Sequence, residues 1–463
     1  MPLVPFLNGK TVAVMGLGKS GTSTARALAA SGATVWAWDD KPEARAVAEA
    51  AGLTLADLST ADLGGVALLV WSPGIPHTHP RPHSVAERAR RAGVKLVCDI
   101  DLLAMACPAA RFVGVTGTNG KSTTTTLIAH ILKTAGREVA AGGNLGTPAL
   151  DLPLLGSEGT YVLELSSYQI ELLDQAAFDI AVLLNITPDH LARHDGMAGY
   201  VAAKAGLFDR MRPGGVAVVG VDDEFSRGIL EHLEGADDVY ALPISAERQV
   251  TSGVAAPEGI LVDDCDGQAT AVIDLRPVPA LPGRHNWQNA CAAYAVARAS
   301  DVDIAAICKG IASYPGLAHR QELIAVIDGV RYINDSKATN ADAAAKAMVC
   351  YDDIYWILGG QAKEGGILSL EYLLPRVRKA FLIGEATEEF ARSLIGKASV
   401  ERCGTLDVAV AHACEAALAE CRPAPVVLLS PACASWDQFT SFEHRGDVFR
   451  QLVEALPGRR TNR

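Results

Sequence analysis

The sequence predicts an α/β protein of three domains, each a mostly parallel sheet wrapped by helices. Three observations predict it. Short apolar runs alternate with Ala-rich stretches almost throughout, the pattern of parallel strands joined by crossover helices. Two glycine-rich turns, GLGKSG and GTNGKST, each follow an apolar run and open a helical stretch. The chain has 463 residues, which at roughly 100–200 residues per domain leaves room for about three.

In order along the chain, the first block opens with a strand over Thr11–Met15, then GLGKSG, then a helix over Thr22–Ala30. A strand over Thr34–Trp38 ends in Asp39 and Asp40, and another over Val66–Trp71 ends in SPGIP; the block closes near Cys107–Pro108. The second block opens with a strand over Arg111–Val115, the second glycine turn, and a helix from Ser122 to about Ala135. Strands over Tyr161–Leu165 and Ile180–Asn185 follow. The stretch from Asp222 to Pro279 reads as a peripheral strand-rich region with a turn at Asp263–Gly267, before a helix over Trp287–Arg298. The third block begins near Gly316 with strands at Val330–Asn334, Ile354–Leu358, Lys379–Ile383 and Val426–Leu429, and ends in a basic tail, GRRTNR. The domains are therefore set at residues 1–107, 108–315 and 316–463.

Composition narrows the function. Hydrophobic residues make up 49% and charged residues 20%, enough to build packed cores. The formal net charge of −12 argues against coating a nucleic acid, though a local loop on an acidic protein still binds phosphate. Ten cysteines, none in a CxxC pair, read as free thiols, buried where the context is apolar as at Cys291 and Cys350; their spacing favours neither a disulfide framework nor a zinc site. The N-terminus is too short and too broken by Pro for a signal peptide, and no apolar run approaches the ~18–20 residues of a membrane span. A soluble, cytoplasmic protein is expected.

The strongest chemical signal is FVGVTGTNGKST, Phe112–Thr123. The strict GxxxxGK[ST] pattern fails by one place, because Val115 stands where its first Gly belongs, but the strand–turn–helix context matches. The loop Gly117, Thr118, Asn119, Gly120, Lys121, Ser122 and Thr123 predicts an ATP site. Backbone N–H groups of Thr118 to Lys121 face a phosphate, Lys121 sits on the β/γ-phosphates, and Ser122 or Thr123 offers a hydroxyl to Mg²⁺. Glu164, one charge in the apolar strand YVLELSS, is a second candidate metal ligand; the bland alternative is a cap on the next helix. His190 follows the end of a strand, where open α/β sheets place ligands, and reads either as a ligand or as a loop residue. Lys204, in GYVAAKAGLF, earns no role from spacing.

GLGKSG, Gly16–Gly21, is a full GxGxxG with Asp39 at the end of the next strand, the dinucleotide fingerprint; any pyrophosphate suits the turn. In the third block NDSKATN (Asn334–Asn340), GGQAKEGG (Gly359–Gly366) and LLSPACASWDQFTSFEHRG (Leu428–Gly446) each follow a strand of one sheet and together suggest a binding surface.

These segments together resemble the Mur ligases, ATP-dependent amide ligases of peptidoglycan precursor synthesis. GTNGKST and ELSS resemble motifs shared across that family and with folylpolyglutamate synthases. DSKATN and LSPACASWDQF are more selective, and resemble the members that add glutamate. The resemblance covers nearly the whole chain, with Asp222–Pro279 its weak part. It implies a Rossmann-like N-terminal domain that holds a UDP substrate, a central P-loop ATPase domain, and a Rossmann-like C-terminal domain that swings in to close the site. It implies that D-glutamate is joined to UDP-N-acetylmuramoyl-L-alanine, with ATP and Mg²⁺, by a monomer that meets no nucleic acid and no membrane.

Residue by residue, the resemblance implies that Gly16, Gly18, Lys19, Ser20, Gly21, Asp39, Asp40 and Gly74 face the UDP end and that Asn144 reaches the substrate. Lys121, Ser122 and Glu164 serve ATP and one Mg²⁺; Asn286, Asn289, Arg320, Asp335 and Lys337 surround the nucleotide. His190 and Lys204, the latter as a carbamate, hold a second Mg²⁺. Thr339, Lys363, Ser435 and Phe442 bind glutamate. Two places depart from the family pattern: Lys19 and Ser20 replace a more apolar pair, and Asp40 stands where a hydroxyl is common. The competing readings are a nicotinamide-dependent oxidoreductase, which leaves GTNGKST and Glu164 without roles, a ligase for L-glutamate or another acceptor, and a non-catalytic ATP-binding scaffold.

Overall fold

The computed structural model describes residues 2–144, 146–235, 238–362 and 365–461. Among these, the strands form three sheets, and the chain falls into two compact units: 1–275 with 284–314, and 276–283 with 315–463.

The first unit holds two sheets. One is all parallel in the order β2-β1-β3-β4, from β1 (Thr11–Met15), β2 (Thr34–Trp38), β3 (Val66–Trp71) and β4 (Leu96–Val97). The second runs β13-β12-β11-β10-β9-β8-β5-β7-β6. Its strands are β5 (Arg111–Thr116), β6 (Val139–Gly143), β7 (Thr160–Glu164), β8 (Phe178–Leu183), β9 (Met211–Gly220), β10 (Val239–Ser245), β11 (Val254–Ala255), β12 (Ile260–Asp263) and β13 (Thr270–Asp274). In both sheets the first strand is interior and the chain continues to either side of it, so β1 and β5 each end at a topological switch point, the crevice where open α/β sheets bind ligands. Both glycine turns stand there. Val12, Ala13, Phe112 and Val115 are buried on both faces of their sheets, which is why these strands read as continuous apolar runs rather than alternations.

The second unit has one sheet, β18-β17-β16-β19-β15-β14-β20, from β14 (Glu322–Ile327), β15 (Val330–Asn334), β16 (Asp353–Gly359), β17 (Val377–Ile383), β18 (Val400–Gly404), β19 (Pro425–Leu429) and β20 (Arg460–Thr461). β15, β19 and β16 lie side by side and parallel, so the three segments that follow them emerge at one edge of the sheet.

The weakly read stretch carries strands β10–β13, with the β12–β13 turn where expected, and also a helix over Glu224–Leu233 that composition alone did not suggest. Asp223 starts that helix by accepting from Ser226 N. All ten cysteines are free; Cys291 is buried, whereas Cys350 is half-buried. Among the described residues no helix is long and apolar enough to cross a membrane.

Candidate active site

The second glycine turn is a rigid loop. Gly117 (φ +147°) and Gly120 (φ +88°) adopt backbone conformations open to glycine, and Gly120 caps the helix Lys121–Thr134. A Cβ on Gly120 would lie 2.3 Å from Asn289 Oδ1, so the carboxamide expected near the nucleotide does pack against this loop. Asn289 in turn donates to Asn286 Oδ1, 3.1 Å away and one turn earlier on the helix Arg284–Ala299. Of the four backbone donors expected to face a phosphate, two are directed elsewhere. Thr118 N donates to Asn185 O (2.8 Å) and Asn119 N to Asn185 Oδ1 (2.9 Å). The cause is the end of β8, which brings Asn185 alongside the loop as a latch. Lys121 folds back, its Nζ donating to Gly117 O and Thr118 O, both at 2.9 Å. Ser122 and Thr123 are buried in the first turn.

A second lysine meets the same carbonyl. Lys204, on the helix Met197–Ala205, is only 1% exposed; its Nζ donates to Gly117 O at 2.8 Å and faces the Tyr200 ring at 4.8 Å. Burial, and then the charge of Lys121, push its amine down to about 6, against a smaller opposing pull from Asp189. At neutral pH it is largely an uncharged nucleophile.

On β7, Glu164 is 3% exposed. Its Oε1 accepts from Asn144 Nδ2 at 2.9 Å, while Oε2 is buried without a partner. A buried carboxylate oxygen left unpaired costs free energy that a cation restores, and a carboxylate oxygen is the kind of donor that Mg²⁺ takes. The residues present therefore fit a Mg²⁺ ion at Glu164. Asn144, expected to reach substrate, is tied directly to this carboxylate.

His190 adopts a left-handed backbone (φ +51°), keeps over half its side chain exposed, and lies 3.6 Å from Asp189. It reaches Lys204 by way of three rings: Tyr168 at 5.5 Å, His194 stacked on Tyr168 at 5.2 Å, and Tyr200 at 5.3 Å from His194.

At the first glycine turn, Gly16 has φ +93°, and a Cβ on Gly21 would lie 1.8 Å from Gly16 O, so only glycine permits the close crossing of strand and helix. Gly18 caps the helix Lys19–Ala30, whose first turn carries Lys19 and Ser20. Asp39 accepts from Leu17 N (2.7 Å) and Lys41 N (2.9 Å), locking the turn rather than standing open to a ribose. Asp40 pairs with His83 at 2.8 Å. Gly74 O accepts from Arg193 (3.1 Å), which joins SPGIP to the loop after β8.

In the second unit the three segments after β15, β16 and β19 are stitched together. Gln361 and Ala434 exchange backbone hydrogen bonds. Arg445, 1% exposed, donates to Ser336 Oγ (2.9 Å), Ser336 O (2.8 Å) and Cys433 O (3.2 Å). Lys337 Nζ lies 5.9 Å from the Phe442 ring. Burial pushes the Asp335 carboxyl up to about 7, opposed by its bond from Ser430 Oγ at 2.8 Å. Arg320 stands between two left-handed residues, His319 (φ +61°) and Gln321 (φ +44°), a locally strained presentation. Thr339 follows Lys337, to whose carbonyl it donates, and Ser435 is buried. Lys363 lies outside the described residues.

Two family models match: the Mur ligase middle domain over residues 115–297 and the Mur ligase MurD-like N-terminal domain over residues 10–98. The UDP-N-acetylmuramoylalanine–D-glutamate ligase of Paramagnetospirillum magneticum is 60% identical over 98% of each chain, and that of Rhodospirillum rubrum 56% identical over 98% of this chain and 96% of its own. This chain belongs to the Mur ligase family. Among solved structures, UDP-N-acetylmuramate-alanine ligase from Thermotoga maritima matches with a TM-score of 0.57 at 15% identity over 96% of this chain and 99% of its own, which shows the shared fold.

Several residues that build the site of this Mur ligase carry no motif. Asn185 latches the phosphate loop. Tyr200 is the wall against Lys204, and its hydroxyl is 3.1 Å from Thr118 Oγ1. His194 is fully buried between Ser167 Oγ and Glu171 Oε1, both at 2.9 Å. Arg445 ties the rim of the second unit. Asn185 had a signal, a polar residue closing the apolar strand AVLLN beside the loop, whereas His194 and Arg445 sit in segments whose burial only tertiary packing reveals.

Proposed function

We infer that this Mur ligase joins D-glutamate to UDP-N-acetylmuramoyl-L-alanine, with ATP converted to ADP and phosphate. The observation that carries the reading is the end-to-end identity of 60% to a relative bearing that name. The cluster of Lys121, Lys204 and Glu164 around one phosphate loop supports it with a chemistry.

The alanyl carboxylate attacks the γ-phosphorus of ATP, the bond to the bridging oxygen breaks, and ADP leaves behind an acyl phosphate. The glutamate amine then attacks the acyl carbon and phosphate departs from the tetrahedral intermediate. The protein's task is positioning and charge neutralisation. The loop Gly117–Thr123 cradles the phosphates, with Lys121 turning from the carbonyls of Gly117 and Thr118 toward the β/γ-phosphates. Asn286, Asn289, Arg320, Asp335 and Lys337 hold the nucleotide. Ser122 and Glu164 would hold one Mg²⁺ and His190 with Lys204 a second, and the ions would supply neutralisation of phosphate charge. Lys204 serves as a carbamate: its uncharged amine adds to CO₂, a proton leaves, and an anionic oxygen ligand results. Gly16, Gly18, Lys19, Ser20, Gly21, Asp39, Asp40 and Gly74 take the UDP end, with Asp39 acting through the turn it locks, and Asn144 the substrate chain. Thr339, Lys363, Ser435 and Phe442 take glutamate. A cytoplasmic monomer with small-molecule substrates fits this reading, and the net charge of −12 disfavours polyanionic partners.

The test is phosphate release from ATP with UDP-N-acetylmuramoyl-L-alanine, comparing D-glutamate, L-glutamate and other amino acids. Release is expected to need both substrates and to prefer the D enantiomer. Release independent of any amino acid would sink the ligase reading, and equal use of L-glutamate would sink its stereochemistry.

A further inference from the structure

One side-chain cluster of the second unit takes no part in the ligase chemistry. It lies on β18, the edge strand of the seven-stranded sheet, and on the helix Leu406–Ala419 that follows. The β17–β18 ladder pairs Leu382 with Arg402 and Ile383 with Gly404, so Cys403 is the extra residue of a bulge. Glu401 precedes it by two places. The helix packs back onto the sheet and brings His412 to Glu401, Nδ1 of the ring bonding Oε1 of the carboxylate. Glu401 Oε2 holds Lys379 Nζ at 2.6 Å. One ligand atom from each of Glu401, Cys403 and His412 lies within 4.8 Å of the other two. The His412 side chain is 44% exposed and that of Glu401 29%, so an ion from solvent can enter.

We propose that Glu401, Cys403 and His412 form a binding site for a thiophilic divalent cation, with Zn²⁺ the natural occupant. The donor set is one sulfur, one imidazole nitrogen and one carboxylate oxygen. Such a set matches Zn²⁺ and mismatches Mg²⁺, which takes oxygen alone. Ligand bonds of roughly 2.0–2.3 Å in a tetrahedral site put donor atoms about 3.3–3.8 Å apart, within a small side-chain adjustment of the present cluster. Three protein ligands leave the fourth position to water. On binding, the Cys403 thiol gives its proton to solvent, the imidazole releases to solvent the Nδ1 proton that it donates to Glu401 and carries its remaining proton on Nε2, and the freed Nδ1 lone pair turns from Glu401 to the metal. Lys379 competes for Glu401 and sets the affinity below that of a dedicated structural site. The occupied site cross-links the bulged edge strand to the helix Leu406–Ala419 and so stiffens that edge. The site rests on none of the ligase assignments.

The test is titration of the full chain with Zn²⁺ and, as a spectroscopic probe, Co²⁺, in excess Mg²⁺ to fill oxygen-only sites. Wild type is expected to show tetrahedral d–d bands and a thiolate-to-cobalt charge-transfer band that Cys403→Ser loses. His412→Gln should weaken binding at least about tenfold, and Lys379→Met should tighten it about two- to fivefold by freeing Glu401. Ligase turnover without added Zn²⁺ should be the same in Cys403→Ser and wild type. Identical Co²⁺ spectra and isotherms for wild type and Cys403→Ser would overturn the site. So would weaker binding in Lys379→Met, a variant that keeps all three ligands and reports even where the cysteine variant fails to fold.

Discussion

The two glycine turns of the first unit are built alike and equipped differently. Each leaves a strand flanked by two parallel neighbours, each opens a helix, and each uses a left-handed glycine, Gly16 or Gly120, where a side chain would collide. Around Gly16–Gly21 the supporting groups are backbone and one carboxylate, Asp39, locking the turn through Leu17 N. Around Gly117–Thr123 two lysines converge on one carbonyl, a carboxylate oxygen of Glu164 is buried without a partner, and Asn185 clamps the loop from the next strand. The backbone device places both turns at a helix N-terminus, the position the proposed function gives to an anion. The strained electrostatics of the second give it the means to neutralise a transferring phosphoryl group. On the proposed function, the same fold position carries different side chains, so that one turn holds and the other reacts.

That contrast is broken most directly by exchanging its lysines. Lys121→Ala should cut turnover about 10³-fold with the fold retained, because a cation on the transferring phosphate is lost. Lys19→Ala in the first turn should change it by less than about threefold, since Lys19 is exposed at a helix start. Phosphate-release assays on both variants decide it, and comparable losses would erase the distinction between the turns.

Next in size is Lys204. Lys204→Ala should lose about 10²-fold in turnover, and short carboxylates added in trans should restore part of it; a folded mutant that no carboxylate rescues argues against the carbamate. Stability supplies an independent readout on the free enzyme, stripped of CO₂. The folded amine titrates at about 6 against 10.5 for a free lysine, chiefly through burial. Between those values the unfolded chain binds a proton that the folded chain refuses. Stability therefore rises with pH across that window, by at most roughly 1.4 kcal/mol per pH unit from this group. Lys204→Met removes the term. Its Tm should exceed that of wild type at pH 7, with the gap closing toward pH 10, while turnover collapses. A gap that stays constant with pH would mean that Lys204 is charged in the folded enzyme.

Asn185→Ala is expected to act more mildly. It leaves the Asn185 carbonyl bond to Thr118 but deletes the side-chain bonds to Asn119, so the loop loosens without losing its charges. KM for ATP should rise about tenfold, with a stability loss of about 1–2 kcal/mol. Equilibrium denaturation and ATP kinetics measure both. An unchanged KM would show that the latch is ornamental.

The architecture and both turns were legible in the sequence because strands buried on two faces are written as unbroken apolar runs, and because a left-handed turn before a helix is written as glycine. The sheet edge of the second unit was legible for the same reason: the strands over Val330–Asn334, Asp353–Gly359 and Pro425–Leu429 do emerge together. β14, β18 and β20 escaped, the last because Arg460 and Thr461, within the stretch read as a basic tail, pair with Ile327 and Val326 of β14. β18 carries Glu401, Arg402 and Cys403 on an exposed edge with a bulge, which erases any alternation. Lys204 escaped as chemistry from spacing alone, since an Ala-rich helix says nothing about which face Tyr200 and the phosphate loop will cover. Only the family resemblance singled it out, and the depressed amine supplies the physical reason for it. The Thr118 and Asn119 donors differ from expectation because Asn185, 66 residues beyond Asn119, claims them, and such pairings are a property of topology rather than of local pattern.

The smallest effect tests whether the first turn is only a holder. Asp39→Asn keeps the size of the side chain but leaves one acceptor oxygen where the carboxylate has two, so of the bonds from Leu17 N and Lys41 N one survives without charge assistance and the other is lost. If the carboxylate acts by fixing the turn, KM for the UDP substrate should rise only about three- to tenfold, with kcat and KM for ATP unchanged. A hydrogen bond that the carboxylate accepts directly from a ribose hydroxyl would give a larger loss, and removing the ribose 2′-hydroxyl from the substrate would then cancel the difference between mutant and wild type. With the turn-fixing role, the same substrate change weakens both proteins equally. The double comparison separates a residue that shapes the turn from one that touches the ligand, which a single KM value does not.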